Sequence, residues 1–343
     1  MYAYERRKGQ PMNRIFCFAL AIVLTIVLCS CGKQGDKGAR TGTTIAVIPK
    51  GTTHEFWKAI HAGAVKASRE LKVEIIWKGP LREDDREAQI SVMEDFISRG
   101  VNGIVLAPLD DVALRGPVTN ATGAGIPVVI IDSDLKSDDY VSFAATDNYL
   151  GGKMGAEELV RLLNGKGRVI MLRVLEGSAS TVNRERGFLD AMAAAPGITV
   201  VSANQYGGAT VETAYRASEN LLAPLKDSKG LLTIDGIFTP NESTTFGMLR
   251  ALQDGGHAGK VFFVGFDSST KLVEALRNKQ LHALVLQNPM AMGYLGVKTV
   301  VAHMRGEKVE KRIDTGVTLV TEKNMDQPEV KELIQPDLAR WLE

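Results

Sequence analysis

From residue 44 onward, short runs of β-branched and aliphatic residues alternate with longer stretches in which apolar positions recur every three or four residues. Near-continuous apolar runs of this kind mark strands buried on both faces, as in parallel sheets covered by helices. The pattern predicts strands over 44–48, 74–78, 103–107, 128–131, 168–172, 199–202, 236–238, 261–266 and 283–286. Phe56, Ile60, Ala64 and Ala67 keep helical spacing after the first run, and Val92, Phe96 and Ile97 after the second. Further helices are expected over 148–163, 184–195, 211–222, 243–252 and 289–304, with Gly and Pro at the joints, as in Gly125-Ile126-Pro127. The strand–helix unit repeats too often for one ordinary sheet, so two sheets of about five or six strands, hence two similar α/β lobes, are predicted. The stretch 325–343, with Pro328 and Pro336 around a short amphipathic segment, has no assigned role.

The N-terminus departs from this pattern. Arg6, Arg7, Lys8 and Arg14 precede an apolar run from Ile15 to Leu28, the length of a signal-peptide core rather than of a membrane span. It ends in Leu28-Cys29-Ser30-Cys31-Gly32, which resembles a bacterial lipobox, with Cys31 as the lipidated residue. Residues 1–30 are thus expected to be a lipoprotein signal peptide and 31–43, rich in Gly, Lys, Thr and Gln, a flexible tether. Of the three cysteines only Cys31 would remain, so a disulfide framework is excluded in an exported protein. Removing Glu5 and four basic residues from 41 Lys+Arg and 40 Asp+Glu leaves 37 against 39. No basic surplus remains for nucleic-acid binding by counterion release.

Polar residues follow the strands in a suggestive way. Asp132, Asn241, Asp267 and Gln287 stand at or just after apolar runs, and ligands of parallel α/β sheets bind outside the carboxyl ends of strands. Asp and Asn at such positions also commonly cap the next helix. Phe56 and Trp57 are adjacent, and neighbours on a helix diverge by about 100°, so one of the two is expected to leave the core for the cleft. Carboxylates, amides and flat rings together suit a polyhydroxylated ligand, whose hydroxyls each donate and accept.

Taken in order, Phe56-Trp57 with Ala62-Gly63-Ala64, Gly125-Ile126-Pro127-Val128 with Asp132, Thr146-Asp147-Asn148 with Gly151-Gly152, Arg184 with Gly187-Phe188, Phe238 to Asn241, Val264-Gly265-Phe266-Asp267 and Gln287 form a specific combination. In it the chain, from about residue 44 to 321, resembles the periplasmic pentose/hexose-binding proteins typified by the ribose-binding protein. The resemblance implies a type I periplasmic binding protein: an α/β fold of two Rossmann-like lobes joined by a three-crossing hinge. It implies lobes of residues 44–146 with 288–317 and of 147–287 with 318–343, crossing near Thr146-Asp147, Gln287-Asn288 and Gly316 to Leu319. It also implies ligand contacts from His54, Phe56, Trp57, Asp132, Arg184, Asn241, Asp267 and Gln287, with the two aromatics sandwiching a sugar ring, the Asp, Arg and Asn residues on hydroxyls and Gln287 at a hinge crossing. His54 stands where the family has Asn, Glu55 where it has Pro, Ser133 where an Arg follows the strand-end Asp, and Ala209, with Tyr206 nearby, where it has another aromatic. A lost bidentate Arg argues against ribose itself.

The expected role is that of a monomeric, exported, lipid-anchored substrate-binding protein of an ABC importer, its partners a sugar or polyol, the inner-membrane permease and the membrane. A lipoprotein of the same fold serving a sensor kinase or chemoreceptor is the alternative. No Gly-x-Gly-x-x-Gly turn, Walker loop, Gly-x-Ser-x-Gly elbow or metal-spaced His/Cys cluster is present, so no enzyme, cofactor or metal is expected. His54 and His61, seven apart, are read as surface or cleft residues rather than metal ligands. A DNA-binding module, which a repressor of this fold would need before residue 44, is replaced by the signal-like segment.

Overall fold

The structure, a computed structural model, describes residues 42–343 together with Met1 and Ala3. The signal peptide, the tether and Cys31 lie outside the described residues. Residues 42–343 form one compact unit.

The strands and helices alternate as β1 (Thr44–Ile48), α1 (Glu55–Leu71), β2 (Glu74–Trp77), α2 (Arg86–Ser98), β3 (Gly103–Leu106), α3 (Arg115–Gly123), β4 (Val128–Ile131), β5 (Ser142–Ala145), α4 (Asn148–Leu162), β6 (Gly167–Arg173), α5 (Ala179–Ala193), β7 (Ile198–Tyr206), α6 (Val211–Leu222), β8 (Gly236–Phe238), α7 (Glu242–Asp254), β9 (Phe262–Phe266), α8 (Thr270–Arg277), β10 (Ala283–Leu286), α9 (Pro289–Met304), β11 (Arg312–Asp314), β12 (Thr318–Val320), α10 (Pro328–Ile334) and α11 (Ala339–Leu342). The first sheet runs β11-β5-β4-β3-β1-β2 and is parallel throughout. The second runs β12-β10-β9-β8-β6-β7, parallel except where β12 pairs antiparallel with β10. Both sheets therefore share one strand order, and each has a switch point beside its first strand, where ligand crevices open at strand carboxyl ends.

Fully buried strands β1, β3 and β4 read TIAVI, GIVL and VVII, while the edge strand β2, EIIW, is only partly covered. Each sheet has an apolar layer on either face. In the first lobe Phe96, Ile104 and Leu106 lie on one side and Ile45, Ile60 and Val105 on the other. In the second lobe Phe263, Leu252 and Leu272 oppose Phe188, Phe238 and Phe266.

Reciprocal glycines bring one helix pair together in each lobe. A Cβ on Gly63 of α1 would land on the carbonyl oxygen of Met290, and one on Gly293 of α9 on that of Ile60. In the second lobe Gly152 of α4 faces the carbonyl oxygen of Arg184, and Gly187 of α5 that of Tyr149. This close approach, open only to residues without a side chain, sets the position of α5 and so of Arg184.

Strands β5, β11 and β12 were not predicted; each is three or four residues long and takes its register from a neighbour. Helix α5 begins at Ala179, five residues before the expected start, so Ser178 and Ser180 belong to its first turn rather than to a loop. The chain passes between lobes after β5, after β10 and after β11. It then does so a fourth time: α10 packs into the second lobe through Val330 and Ile334, whereas α11 returns to α1 of the first. The expected placement of all of 318–343 in the second lobe thus stops short of α11. The turn at Pro336, where the ring blocks helix continuation, lets the tail change direction.

Candidate functional site

The carboxyl ends of the two sheets face each other. Lys50 follows β1, Glu83 follows β2 and Asp132 follows β4; across the gap stand Ser180 and Arg184 on α5, Asn241 and Glu242 at the start of α7, Asp267 after β9 and Gln287 after β10. Together with His54, Phe56, Trp57 and Thr181 these side chains line a narrow cavity of about 20 Å³, drawn nearly shut between the lobes. All eight ligand positions expected from the resemblance line it. Lys50, Glu83, Ser180, Thr181 and Glu242 line it too and were missed.

The two strand-end aspartates are geometric counterparts. Asp132 has φ 61° and Asp267 φ 65°, left-handed backbone that a non-glycine residue adopts at some cost, and both are buried. Neither is the N-cap residue of the helix that follows it, unlike Asn241, whose Oδ1 accepts from the Thr244 backbone N–H at 3.0 Å and from the Thr244 hydroxyl at 2.6 Å. The cap thus occupies the Asn241 oxygen, and Nδ2 donates to Ser243 Oγ at 3.1 Å.

Charge in the cavity is matched pair by pair. Lys50 Nζ lies 2.8 Å from Asp132 Oδ2 and reaches across to donate to Ser180 Oγ at 3.0 Å and Ser178 Oγ at 3.2 Å. It supplies, from the end of β1, a cation beside Asp132 where Ser133 removes one. Ser133 itself accepts from the Ser180 backbone N–H at 3.1 Å, another bond between lobes. His54 Nδ1 lies 2.8 Å from Glu83 Oε1, which also accepts from Trp57 Nε1 at 2.6 Å. Burial opposes the His54 charge, but Glu83 beside it prevails and the imidazole is held at about 9, above its ordinary 6.5. Burial likewise opposes the Glu83 charge, yet His54 and Lys50 hold that carboxyl down at about 2.

The third pair is looser. Arg184 Nη1 is 3.9 Å from Asp267 Oδ2 and donates to the Pro240 carbonyl at 2.9 Å, while Nε donates to Asn148 Oδ1 at 2.8 Å. The guanidinium also lies over the Phe266 ring, 4.1 Å from its centroid. Burial pushes Arg184 down and Asp267 up from their ordinary values, each countered by the other. Gln287 Nε2 donates to Asp267 Oδ1 at 2.7 Å. Two buried atoms of the cavity lining keep no partner: Arg184 Nη2, a donor, and Gln287 Oε1, an acceptor.

Glu242 is the seventh ionisable group. It accepts the backbone N–H groups of Glu55 and Phe56, at 3.3 and 3.1 Å, at the N-terminus of α1 in the opposite lobe. Burial raises it to about 7. The other six groups form three pairs of opposite charge, so Glu242 is the carboxyl of the cavity that stands outside those pairs.

The aromatics depart from expectation. Phe56 and Trp57 both pack in the core of the first lobe and both touch the cavity, so neither leaves the core. Their rings meet edge to face, with centroids 4.9 Å apart at 83°. Adjacent residues on one helical turn cannot stand as parallel walls, so they form a corner rather than a sandwich. His61 is not among the residues lining the cavity and stacks on Trp77 at 4.5 Å. Among the described residues no group of His, Cys, Asp or Glu is placed to hold a metal ion, and no helix is long and apolar enough to cross a membrane.

The family model described as a periplasmic binding protein domain matches residues 45–308. The chain belongs to the periplasmic binding protein family. It is 28% identical over 311 residues, 91% of this chain and 100% of the relative, to the ribose import binding protein RbsB of Haemophilus influenzae. A carbohydrate transporter solute binding protein from Agrobacterium radiobacter, solved in complex with D-arabinose, superposes with a TM-score of 0.82 at 33% identity, covering 87% of this chain and 100% of its own. An ABC transporter solute binding protein from Agrobacterium vitis with bound D-fucose does so at 0.80 and 36%, covering 85% and 100%. The two-lobe fold is that of periplasmic binding proteins, as the resemblance implied. These relatives are binding proteins rather than enzymes, in agreement with the expectation that the chain is not an enzyme.

Two of the missed residues had a signal. Lys50 follows β1 as Asp132 follows β4, and the strand-end rule applies equally to both. Glu242 is the neighbour of the predicted Asn241. Glu83 lies among Arg82, Asp84 and Asp85, a charge run that reads as a solvated loop.

Proposed function

We propose that this periplasmic binding protein is the extracytoplasmic substrate-binding component of an ABC importer and holds a neutral monosaccharide or related polyol between its lobes. The observation that carries this is the pair of unpartnered buried atoms in the cavity, Arg184 Nη2 and Gln287 Oε1. An unpaired buried donor or acceptor costs roughly 1–3 kcal/mol. A hydroxyl, donor and acceptor at once, satisfies both kinds. The matched charges favour a neutral ligand, since a uronate or sugar phosphate would bring an uncompensated charge into a buried site. The sugars bound to the neighbours named above point to the same class.

Residues 44–146 with 288–317 form one lobe in this reading and 147–287 with 318–338 the other, with α11 returned to the first. Asp132 and Lys50 hold hydroxyls from one side, Arg184, Asp267, Asn241 and Gln287 from the other, so the ligand stabilises the closed arrangement by binding both lobes. Cys31, following the lipobox-like run, anchors the monomeric chain to the membrane after export. A thermal-shift screen of neutral pentoses, hexoses and polyols against residues 42–343 tests the ligand class. Stabilisation by at least one supports it; stabilisation only by charged sugars contradicts it. For the anchor, wild-type chain in the membrane fraction and Cys31→Ser in the soluble fraction are expected, and equal fractionation contradicts it.

A further inference from the structure

The C-terminal tail joins the two lobes outside the hinge. Its first helix, α10, is rooted in the second lobe by Val330 and Ile334, with Met325 just ahead of it in the same core. Four residues later α11 lies on α1 of the first lobe. There Arg69 donates to the carbonyl oxygens of Arg340 at 3.2 Å and Trp341 at 3.1 Å, and its guanidinium lies 5.5 Å from the Trp341 ring centroid. Between these anchors Pro336 and Leu338 cover a crevice shared with Phe56 and Ala59 of α1, Leu286 of β10 and Pro289, the first residue of α9. The link runs directly behind the hinge and beside the binding cavity.

We propose that residues 335–343 act as a strap that biases the lobes toward the closed arrangement. Four residues reach at most about 14 Å even when fully extended, and Pro336 restricts them further. The link therefore has little slack, and separating α1 from the second lobe breaks the Arg69 contacts or pulls Leu338 from its crevice. Those contacts are few and lie at the surface, so the bias is modest, about tenfold in the closed-to-open ratio. Phe56 and His54 stand at the start of the strapped helix, which couples the strap to the site.

The inference rests on the lobe motion proposed above, but its test needs no sugar. Residues 42–343 contain none of the chain's three cysteines, so spin labels at Glu87→Cys in the first lobe and Glu212→Cys in the second report the interlobe distance by pulsed electron paramagnetic resonance. Two variants are compared with the parent: a chain ending at Gln335, and Arg69→Ala combined with Trp341→Ala, which keeps the full length if truncation impairs folding. A ratio of longer-distance to shorter-distance populations about tenfold higher in the folded variants is expected. A distance distribution unchanged from the parent in the folded double variant overturns the strap. D-fucose and D-arabinose, added afterwards, test the ligand reading separately, because the strap result is read before any sugar is present.

Discussion

Glu83→Gln isolates the ion pair between His54 and Glu83. The amide oxygen of the variant can still accept from Trp57 Nε1, so the 2.6 Å bond has a replacement acceptor while the charge is lost. The interval from 6.5 to about 9 at His54 corresponds to about 3 kcal/mol, and the retained Trp57 bond puts the expected loss at about 2–3 kcal/mol. The pH dependence follows from both partners. His54, raised in the folded protein, contributes stability that is fully present below 6.5 and is lost as pH rises through about 9. Glu83, depressed, contributes stability present above 4.5 and lost as pH falls through about 2. The variant should therefore be most destabilised relative to wild type between pH 4.5 and 6.5, and the gap should narrow toward pH 9. The melting temperature should fall by roughly 3–5 °C near pH 6. Imidazole proton NMR reads the cause directly. Burial pushes His61, His257 and His282 down, whereas Glu83 raises His54. One resonance should titrate near pH 9 in wild type and move to its ordinary range or below in Glu83→Gln, where burial is no longer outweighed. A wild-type spectrum with no histidine titrating above pH 8, or a high-pH resonance that survives the substitution, refutes the reasoning.

Asp267→Asn removes the carboxylate that faces Arg184 and turns either an acceptor for Gln287 or one for the Glu242 backbone N–H into a donor. Sugar affinity should fall by about 10- to 100-fold by calorimetry while circular dichroism stays native, and unchanged affinity contradicts the assignment. Gly152→Ala drives a methyl into the Arg184 carbonyl, forcing α4 and α5 apart; a loss of about 1–3 kcal/mol in urea unfolding is expected, with weaker sugar binding through displaced Arg184. A fully stable variant would mean the helix contact is loose. Glu242→Gln removes the burial cost of ionising this carboxyl, whose value is raised to about 7. The penalty it escapes is absent below the ordinary 4.5 and complete above about 7, so the variant should gain stability relative to wild type as pH rises through that interval. Parallel melting curves at pH 5 and pH 8 contradict it.

Much of the fold was legible because buried parallel strands are written as apolar runs: TIAVI, GIVL and VVII admit few other readings. SFAA of β5 and RID of β11 carry no such signature, since the strand β4 and its neighbours impose their pairing. At the site, position after a strand located Asp132 and Asp267, and the resemblance located Arg184. What each residue does there was not legible. Asn241 spends its oxygen on a cap, Phe56 and Trp57 meet at a corner, and Lys50 and Glu83 find partners set by the packing of separate loops. Pairings of this kind are long-range: 82 positions separate Lys50 from Asp132, and no local pattern encodes them.

The central claim is that a neutral sugar sits between the lobes and is held from both sides. A crystal structure of residues 42–343 with a sugar that stabilises it tests this most directly. The account predicts sugar hydroxyls within hydrogen-bond distance of Arg184 Nη2 and Gln287 Oε1 on one side and of Asp132 or Lys50 on the other. A sugar bound elsewhere on the surface, or one contacting a single lobe, would contradict it.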